Sequence, residues 1–290
     1  MRRLKADPSA ETFAVTRSEL DLLDERATAT FVEQISPEIV IAAAAVVGGI
    51  RANLNEPVRF LLENLEIQKN LMVASACAGV SKYVFLASSC IYPRLASQPM
   101  SESALMTGPL EPSNESYAVA KLAGIQLARS LQQEGHLRFI VPIPPNIYGP
   151  NDHFDLERAH VLSSLVRRFT DAVLDGRRTI TVWGTGNARR EFMHSSDLAD
   201  AILWLLRESS APFLINVGVG EDISIREAAD LIAEITGFSG DIEFDPSQPE
   251  GMPQKLLDST VVQKLGWYPK VELVDGLKQL AAEYRSGIRV

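Results

Sequence analysis

The run Tyr83-Val84-Phe85-Leu86-Ala87 sets five apolar residues side by side. It is too short for a buried helix, and it lacks the alternation of a strand with one wet face, so it reads as a buried strand. The flanking sequence supplies partners for it. Thr12–Val15 and Ile39–Ala43 read as strands, separated by a helix over Glu25–Gln34 that stops before Pro37. A long amphipathic helix is expected over Pro57–Ala78, where Leu61, Leu62, Leu65, Met72 and Val73 recur at helical spacing. A loop rich in Pro, Ser and Glu runs from Pro93 to Asn114, followed by a helix over Tyr117–Leu131 and a strand over Arg138–Val141. Strands alternating with helices predict an α/β fold with a doubly wound parallel sheet.

Beyond Pro150 the pattern loosens. Helices are expected near His160–Val173, Asp197–Arg207, Ile225–Ile235 and Leu273–Tyr284, with strands at Thr179–Trp183 and Phe213–Val217. They describe a smaller second region, over 151–290, that sends segments back to the sheet of 1–150. A net charge of -9, with no Lys/Arg-rich run beyond Met1–Lys5, argues against nucleic acid as a partner. The longest apolar run, Ile39 to Ile50, is too short to span a bilayer, and Ala6-Asp7-Pro8-Ser9 stands where a signal peptide needs an apolar core. No membrane partner and a cytoplasmic location are expected. Cys77 and Cys90 have neither metal-ligand spacing nor a disulfide framework.

Tyr117 and Lys121 stand four apart on one predicted helix face, so the ammonium can favour the ionised phenol and make it a proton donor. Ser88 ends the Tyr83–Ala87 strand, on the side of an open α/β sheet where ligands bind. It is placed to hold a substrate oxygen. Each residue also has a plainer reading: Lys121 as a solvated helix charge, Cys90 as a small buried hydrophobe, His160 as a polar residue on a helix flank.

The order of these features, continued by Asn114-Glu115-Ser116 and by Pro145-Asn146-Ile147-Tyr148-Gly149-Pro150, resembles the extended short-chain dehydrogenase/reductase family, whose members act on nucleotide sugars. Ser88-Ser89-Cys90-Ile91-Tyr92-Pro93, Gly108-Pro109-Leu110-Glu111-Pro112, Val182-Trp183-Gly184-Thr185-Gly186, Arg190-Glu191-Phe192 and Lys255-Leu256-Leu257-Asp258 narrow the resemblance to the GDP-L-fucose synthase family. It runs from about Arg17 to Tyr284. It implies a Rossmann-like NAD(P)-binding domain over 1–150, a nucleotide-sugar-binding region over 151–290, and a homodimer joined through the Pro57–Ala78 and Tyr117–Leu131 helices. By the same resemblance, Cys90 and His160 are the acid/base pair that epimerises carbons beside a C4 ketone, and NADP(H) is the cofactor. Tyr117 would donate the proton for reduction, Lys121 would lower its pKa and touch the nicotinamide ribose, and Ser88 would orient the ketone. Asn146 and His160 would also face the cofactor. Arg168, Arg190 and Lys255 match substrate-binding positions suited to a diphosphate, and Trp183 would pack on guanine or sugar. Arg167 and Arg189 stand beside matched residues and stay ambiguous.

The sequence departs from that family at its start. The expected first strand and Gly-x-x-Gly-x-x-Gly turn are absent, and the first glycines are Gly48 and Gly49. The absent strand is expected mid-sheet, between the Thr12–Val15 and Ile39–Ala43 side and the Tyr83–Ala87 side, leaving two open edges, an unstable sheet and weak dinucleotide binding. Val46 and Gln254 replace residues that are usually Lys and Arg in the family. A remnant that binds nucleotide sugar without turnover, and another NAD(P)-dependent nucleotide-sugar epimerase or reductase, are the alternative readings. Arg17, just past Thr12–Val15, is where such enzymes meet the 2'-phosphate of NADP. Arg17→Ala should therefore weaken NADPH much more than NADH in a fluorescence titration, whereas equal losses would make Arg17 structural.

Overall fold

The computed structural model describes residue 4 and residues 10–288. Four parallel strands lie in the order Ile39–Ala42, Lys82–Phe85, Arg138–Ile143 and Leu214–Asn216. Alternation along them decides what covers each face. Tyr83, Phe85, Phe139 and Val141 point toward Met72 and Ala74 of the Pro57–Cys77 helix and Ile125 and Ala128 of the Glu115–Gln133 helix. Val84, Ile140 and Ile215 point the other way, onto Leu198, Ala201 and Leu205 of the Ser195–Arg207 helix and onto Trp267. Both faces are dry, and the sheet is doubly wound as expected.

The edge of this sheet differs from expectation. Ile39–Ala42 is not held apart from Lys82–Phe85 by a place for another strand; the two pair directly, with Ile41 opposite Val84. Thr12–Val15 forms no strand. A strand needs a ladder to join, and among the described residues none lies on the outer side of Ile39–Ala42. Phe13 and Val15 are accordingly exposed. Ile39 is exposed too, and Val40 and Ile41 are half-buried, so the open edge faces solvent and escapes most of the cost of orphaned groups in a dry core.

Local signals set the helix ends. Asp24 accepts from the Ala27 N–H to cap the Glu25–Ile35 helix, and Pro57 opens the next long helix where its missing N–H costs nothing. Ser224 and Glu227 form a reciprocal capping box at the start of Ile225–Thr236.

A second core gathers Leu165 and Phe169 of Val161–Asp175, Ile232 of Ile225–Thr236 and Leu280 of Leu273–Ile288 around the parallel pair Thr179–Trp183 and Asp241–Asp245. Three short ladders matter more for the site. Gln254–Lys255 pairs with Arg189–Arg190, which pairs with Ile223–Ser224 on its other side, and Asn146–Tyr148 pairs with Phe192–His194. Met100 donates to Leu256 O at 2.8 Å, so the loop after Pro93 is tied to the same segment.

The two long helices cross at Gly124, where an added Cβ would lie 2.5 Å from Gln68 Oε1 and 2.6 Å from Phe85 Cζ. Alanine normally favours a helix by about 1 kcal/mol over glycine, but here the overlap dominates. Gly124→Ala should cost about 1–3 kcal/mol in urea unfolding; a stabilised variant would show that the crossing has slack.

Candidate active site

The site is built at the carboxyl ends of the central strands. Ala87 donates to Pro142 O at 3.0 Å and Ser89 to Pro144 O at 3.1 Å, which carries the pairing past Phe85 to Ser88. A single turn, Ser89–Ile91, follows, capped by the Ser88 hydroxyl accepting from the Cys90 N–H at 3.3 Å. The turn aims Cys90 at two donors. Asn114 Nδ2 lies 3.1 Å from its Sγ and Lys255 Nζ 3.2 Å. The Ser88 hydroxyl also stands near the Tyr117 phenol and the Cys90 thiol and favours the ionised form of each.

Lys121 lies below Tyr117 on the Glu115–Gln133 helix, only 4% exposed, and donates to Leu86 O at 2.9 Å. Its ammonium is 4.8 Å from the Phe85 ring centre and 5.8 Å from that of Tyr117. Contrary to expectation, the Tyr117 phenol is not pulled down. Burial raises its pKa, the charge on Cys90 adds to this, and the Ser88 hydrogen bond opposes only in part. Tyr117 therefore stays protonated, as a donor must. Burial holds Lys121 itself down to about 8.

Burial alone would raise the Cys90 thiol, but the charge of Lys255, hydrogen bonds from Ser88 and Lys255, and the charge of Arg190 bring it below the ordinary value. His160 stands at the N-cap of Val161–Asp175 and is exposed. The protein around it lowers its pKa, Asp152 opposes, and Lys255 lowers it further.

Arg168 and Trp183 form a neighbouring group. Arg168 hydrogen-bonds Thr181 O, and the Arg51 guanidinium sits 4.7 Å from the Trp183 ring centre. Burial lowers the Arg168 pKa, and Arg177 and Arg51 repel its charge. Cations gathered against their own repulsion suit an anion. Arg190, buried, donates to Glu250 O at 2.7 Å and feels the Cys90 charge. Asn146 begins the strand beside Phe192 and donates its N–H to Glu191 O. Arg17 stands apart, 3.7 Å from Glu63 of the Pro57–Cys77 helix. The two ambiguous arginines are occupied within the fold: Arg189 by Asp222 and Glu227, Arg167 by Phe154 O and Asp171.

Asn114, Arg51 and Glu191 escaped the sequence reading as site residues. Asn114 ends a turn with no sequence mark of its sulfur contact, and Arg51 looks like an ordinary helix charge. Glu191 lay inside a quoted motif, and its place directly after Arg189 and Arg190 was the available signal.

Residues 1–218 match the NAD dependent epimerase/dehydratase family. The chain belongs to that family. It is 45% identical over 279 residues to GDP-L-fucose synthase 1 of Arabidopsis thaliana, covering 96% of this chain and 86% of that one. It is 43% identical over 285 residues to the GDP-L-fucose synthase of Escherichia coli strain K12, covering 95% and 89%. A crystal structure of a GDP-L-fucose synthetase from Naegleria fowleri bound to NADP superimposes with a TM-score of 0.86 at 27% identity, covering 95% and 86%.

An NAD dependent epimerase/dehydratase needs groups that fit a dinucleotide. The Lys121 ammonium spends one of its three donors on Leu86 O, and it lies beside Tyr117 at the ends of the strands, which fits a ribose hydroxyl. Gly48 and Gly49 make no phosphate cradle. A Cβ on Gly49 would meet Ala159 O at 2.6 Å and one on Gly48 would meet Ala52 Cβ at 2.9 Å, so both serve close packing.

The Lys121 pKa near 8 has a consequence for stability. The unfolded chain holds that proton up to about pH 10.4. Between the two values the unfolded state binds more protons, so stability rises with pH across the window, and the penalty is complete below about 8. Urea titrations should show the parent gaining about 1–3 kcal/mol on Lys121→Met between pH 8 and 10. A constant difference would put the ammonium in water.

Proposed function

We propose that this chain converts GDP-4-keto-6-deoxy-D-mannose to GDP-L-fucose, by 3,5-epimerisation followed by NADPH-dependent reduction at C4. The observation that carries the reading is Cys90 held 3.2 Å from Lys255 and close enough to Tyr117 for its charge to act on the phenol, because one site then holds both a proton donor for reduction and a base for epimerisation. Relatives of that name match over nearly the whole chain.

The C4 ketone acidifies the protons on C3 and C5. Cys90, as thiolate, takes a proton from one carbon, the electron pair moves into the enolate, and His160 returns a proton from the opposite face. Once Cys90 has lost that proton to solvent and His160 has regained one, the same steps at the second carbon complete the epimerisation. NADPH supplies a hydride when bound. Ser88 orients the ketone oxygen, Tyr117 protonates the new alkoxide, and Lys121 holds the nicotinamide ribose, with Asn146 and His160 beside it. Arg17 meets the 2'-phosphate. Arg168, Arg190 and Lys255 bind the substrate, with Trp183 against guanine or sugar. The cofactor region ends near residue 150, and the substrate region follows it.

A homodimer fits the apolar residues that the Pro57–Cys77 helix leaves uncovered, Val58 at 67% and Leu62 at 53% exposed, together with Val119 on the neighbouring helix. No helix among the described residues is long and apolar enough to cross a membrane, and a cytoplasmic setting suits a nucleotide-sugar substrate.

The two chemistries should separate by mutation. Tyr117→Phe should abolish reduction while solvent deuterium still enters C3 and C5 of the keto sugar. Cys90→Ser should stop that exchange, since a serine hydroxyl is far too weak an acid to serve. Exchange at the parental rate in Cys90→Ser would sink the assignment.

A further inference from the structure

A base made from a thiol needs something to hold its charge, and the fold puts an ammonium there. Lys255 is 7% exposed, and its Nζ lies 3.2 Å from Cys90 Sγ. Its backbone is gripped from both sides by one residue. Glu191 donates its N–H to Lys255 O at 3.1 Å, while its Oε2 accepts from the Leu257 N–H at 2.9 Å. The other carboxylate oxygen accepts from Val219 at 2.5 Å and Gly220 at 2.8 Å, and the residue is fully buried. Gln98 Oε1 adds a bond to the N–H of Leu256, between the two gripped positions.

We propose that Lys255 is the charge partner that keeps Cys90 a thiolate, and that Glu191 is the positioning residue that fixes Lys255 in that contact. This gives Lys255 a task beyond gripping a diphosphate, and its effect on turnover rests on the epimerase reading above.

The groups facing Cys90 come from several elements. Lys255 and Arg190 approach from the paired strands, Asn114 and Tyr117 from the turn and helix opposite, and Ser88 from its own turn. Glu111 and Glu250 face Arg190 and temper its charge. Two cations and the polar donors outweigh burial, so the thiol loses its proton more readily than an ordinary cysteine does. Lys255 also acts on His160, where its field weakens proton binding. One ammonium thus readies the base and strengthens the acid. Glu191 suits its post because its oxygens meet only backbone N–H groups, which favour the carboxylate. Burial, opposed by those hydrogen bonds and helped by Asp222, raises it to about 7. It carries no side-chain ion pair to Lys255 that would compete with the sulfur.

The test is the pH dependence of iodoacetamide alkylation of Cys90 in substrate-free protein. A Cys77→Ser background removes the other free cysteine, which is exposed. Lys255→Met should raise the midpoint by about one unit or more, an approximately tenfold loss of thiolate below it. Lys255→Arg should keep the midpoint near that of the parent. Glu191→Gln should shift it upward by less. An unshifted midpoint in Lys255→Met overturns the charge pairing, and one in Glu191→Gln overturns the positioning role even where Lys255→Met fails to fold. Solvent deuterium entry into the keto sugar is followed in parallel, and its acid limb should move up with the alkylation midpoint. Shifted midpoints in a parent that exchanges no deuterium would support the pairing and refute the epimerase reading.

Discussion

Lys82–Phe85 and Arg138–Ile143 must hide apolar side chains on both faces at once, and the architecture follows from that demand. Tyr83 and Phe139 can be dry only if the two long helices lie over them, and Val84 and Ile140 only if Ser195–Arg207 closes the other side. With both faces covered, polar side chains find room only at the strand ends. Ser88 stands at such an end, and the backbone bonds from Ala87 and Ser89 that extend the pairing make its place rigid. The site is thus a product of the same burial that stabilises the sheet.

The chemistry depends next on how charge is brought into a poorly hydrated place. The chain has a net charge of -9, yet Lys121, Lys255, Arg190, Arg168 and Arg51 gather around one end of the sheet and the adjoining second region. Each is held in a way that limits its freedom: Lys121 by Leu86 O, Lys255 by Cys90 Sγ, Arg190 by Glu250 O, Arg168 by Thr181 O and Arg51 by Glu157 and the Trp183 ring. Lys121, Arg190 and Arg168, tied to backbone oxygens, keep their full charge, whereas the charge of Arg51 is balanced by Glu157. An anionic substrate can meet that charge.

Some of this was legible in the residues. Thr179–Trp183 has the predicted bounds, and the helices opening near Pro57 and Tyr117 fall within a few residues of their expected ends, because local spacing and capping decide such elements. Thr12–Val15 failed as a strand because a short apolar run does not carry its own ladder. The direct pairing of Ile39–Ala42 with Lys82–Phe85 was misread for the same reason: strand order is a long-range property. The effect of Lys121 on Tyr117 was misjudged because spacing on a helix says nothing about burial, and burial is the larger influence on the phenol.

The amino-acid sequence by itself determined the class of fold, the helix carrying Tyr117 and Lys121, and which side chains could carry acid/base chemistry. Those depend on periodicity, on capping and on side-chain chemistry, all of which act over a few residues. Only the tertiary structure decided that Lys255 lies on Cys90 and that Glu191 grips the segment carrying Lys255. Cys90 and Lys255 are brought together by ladders between distant segments, and no local pattern encodes a contact whose strength depends on the burial around it.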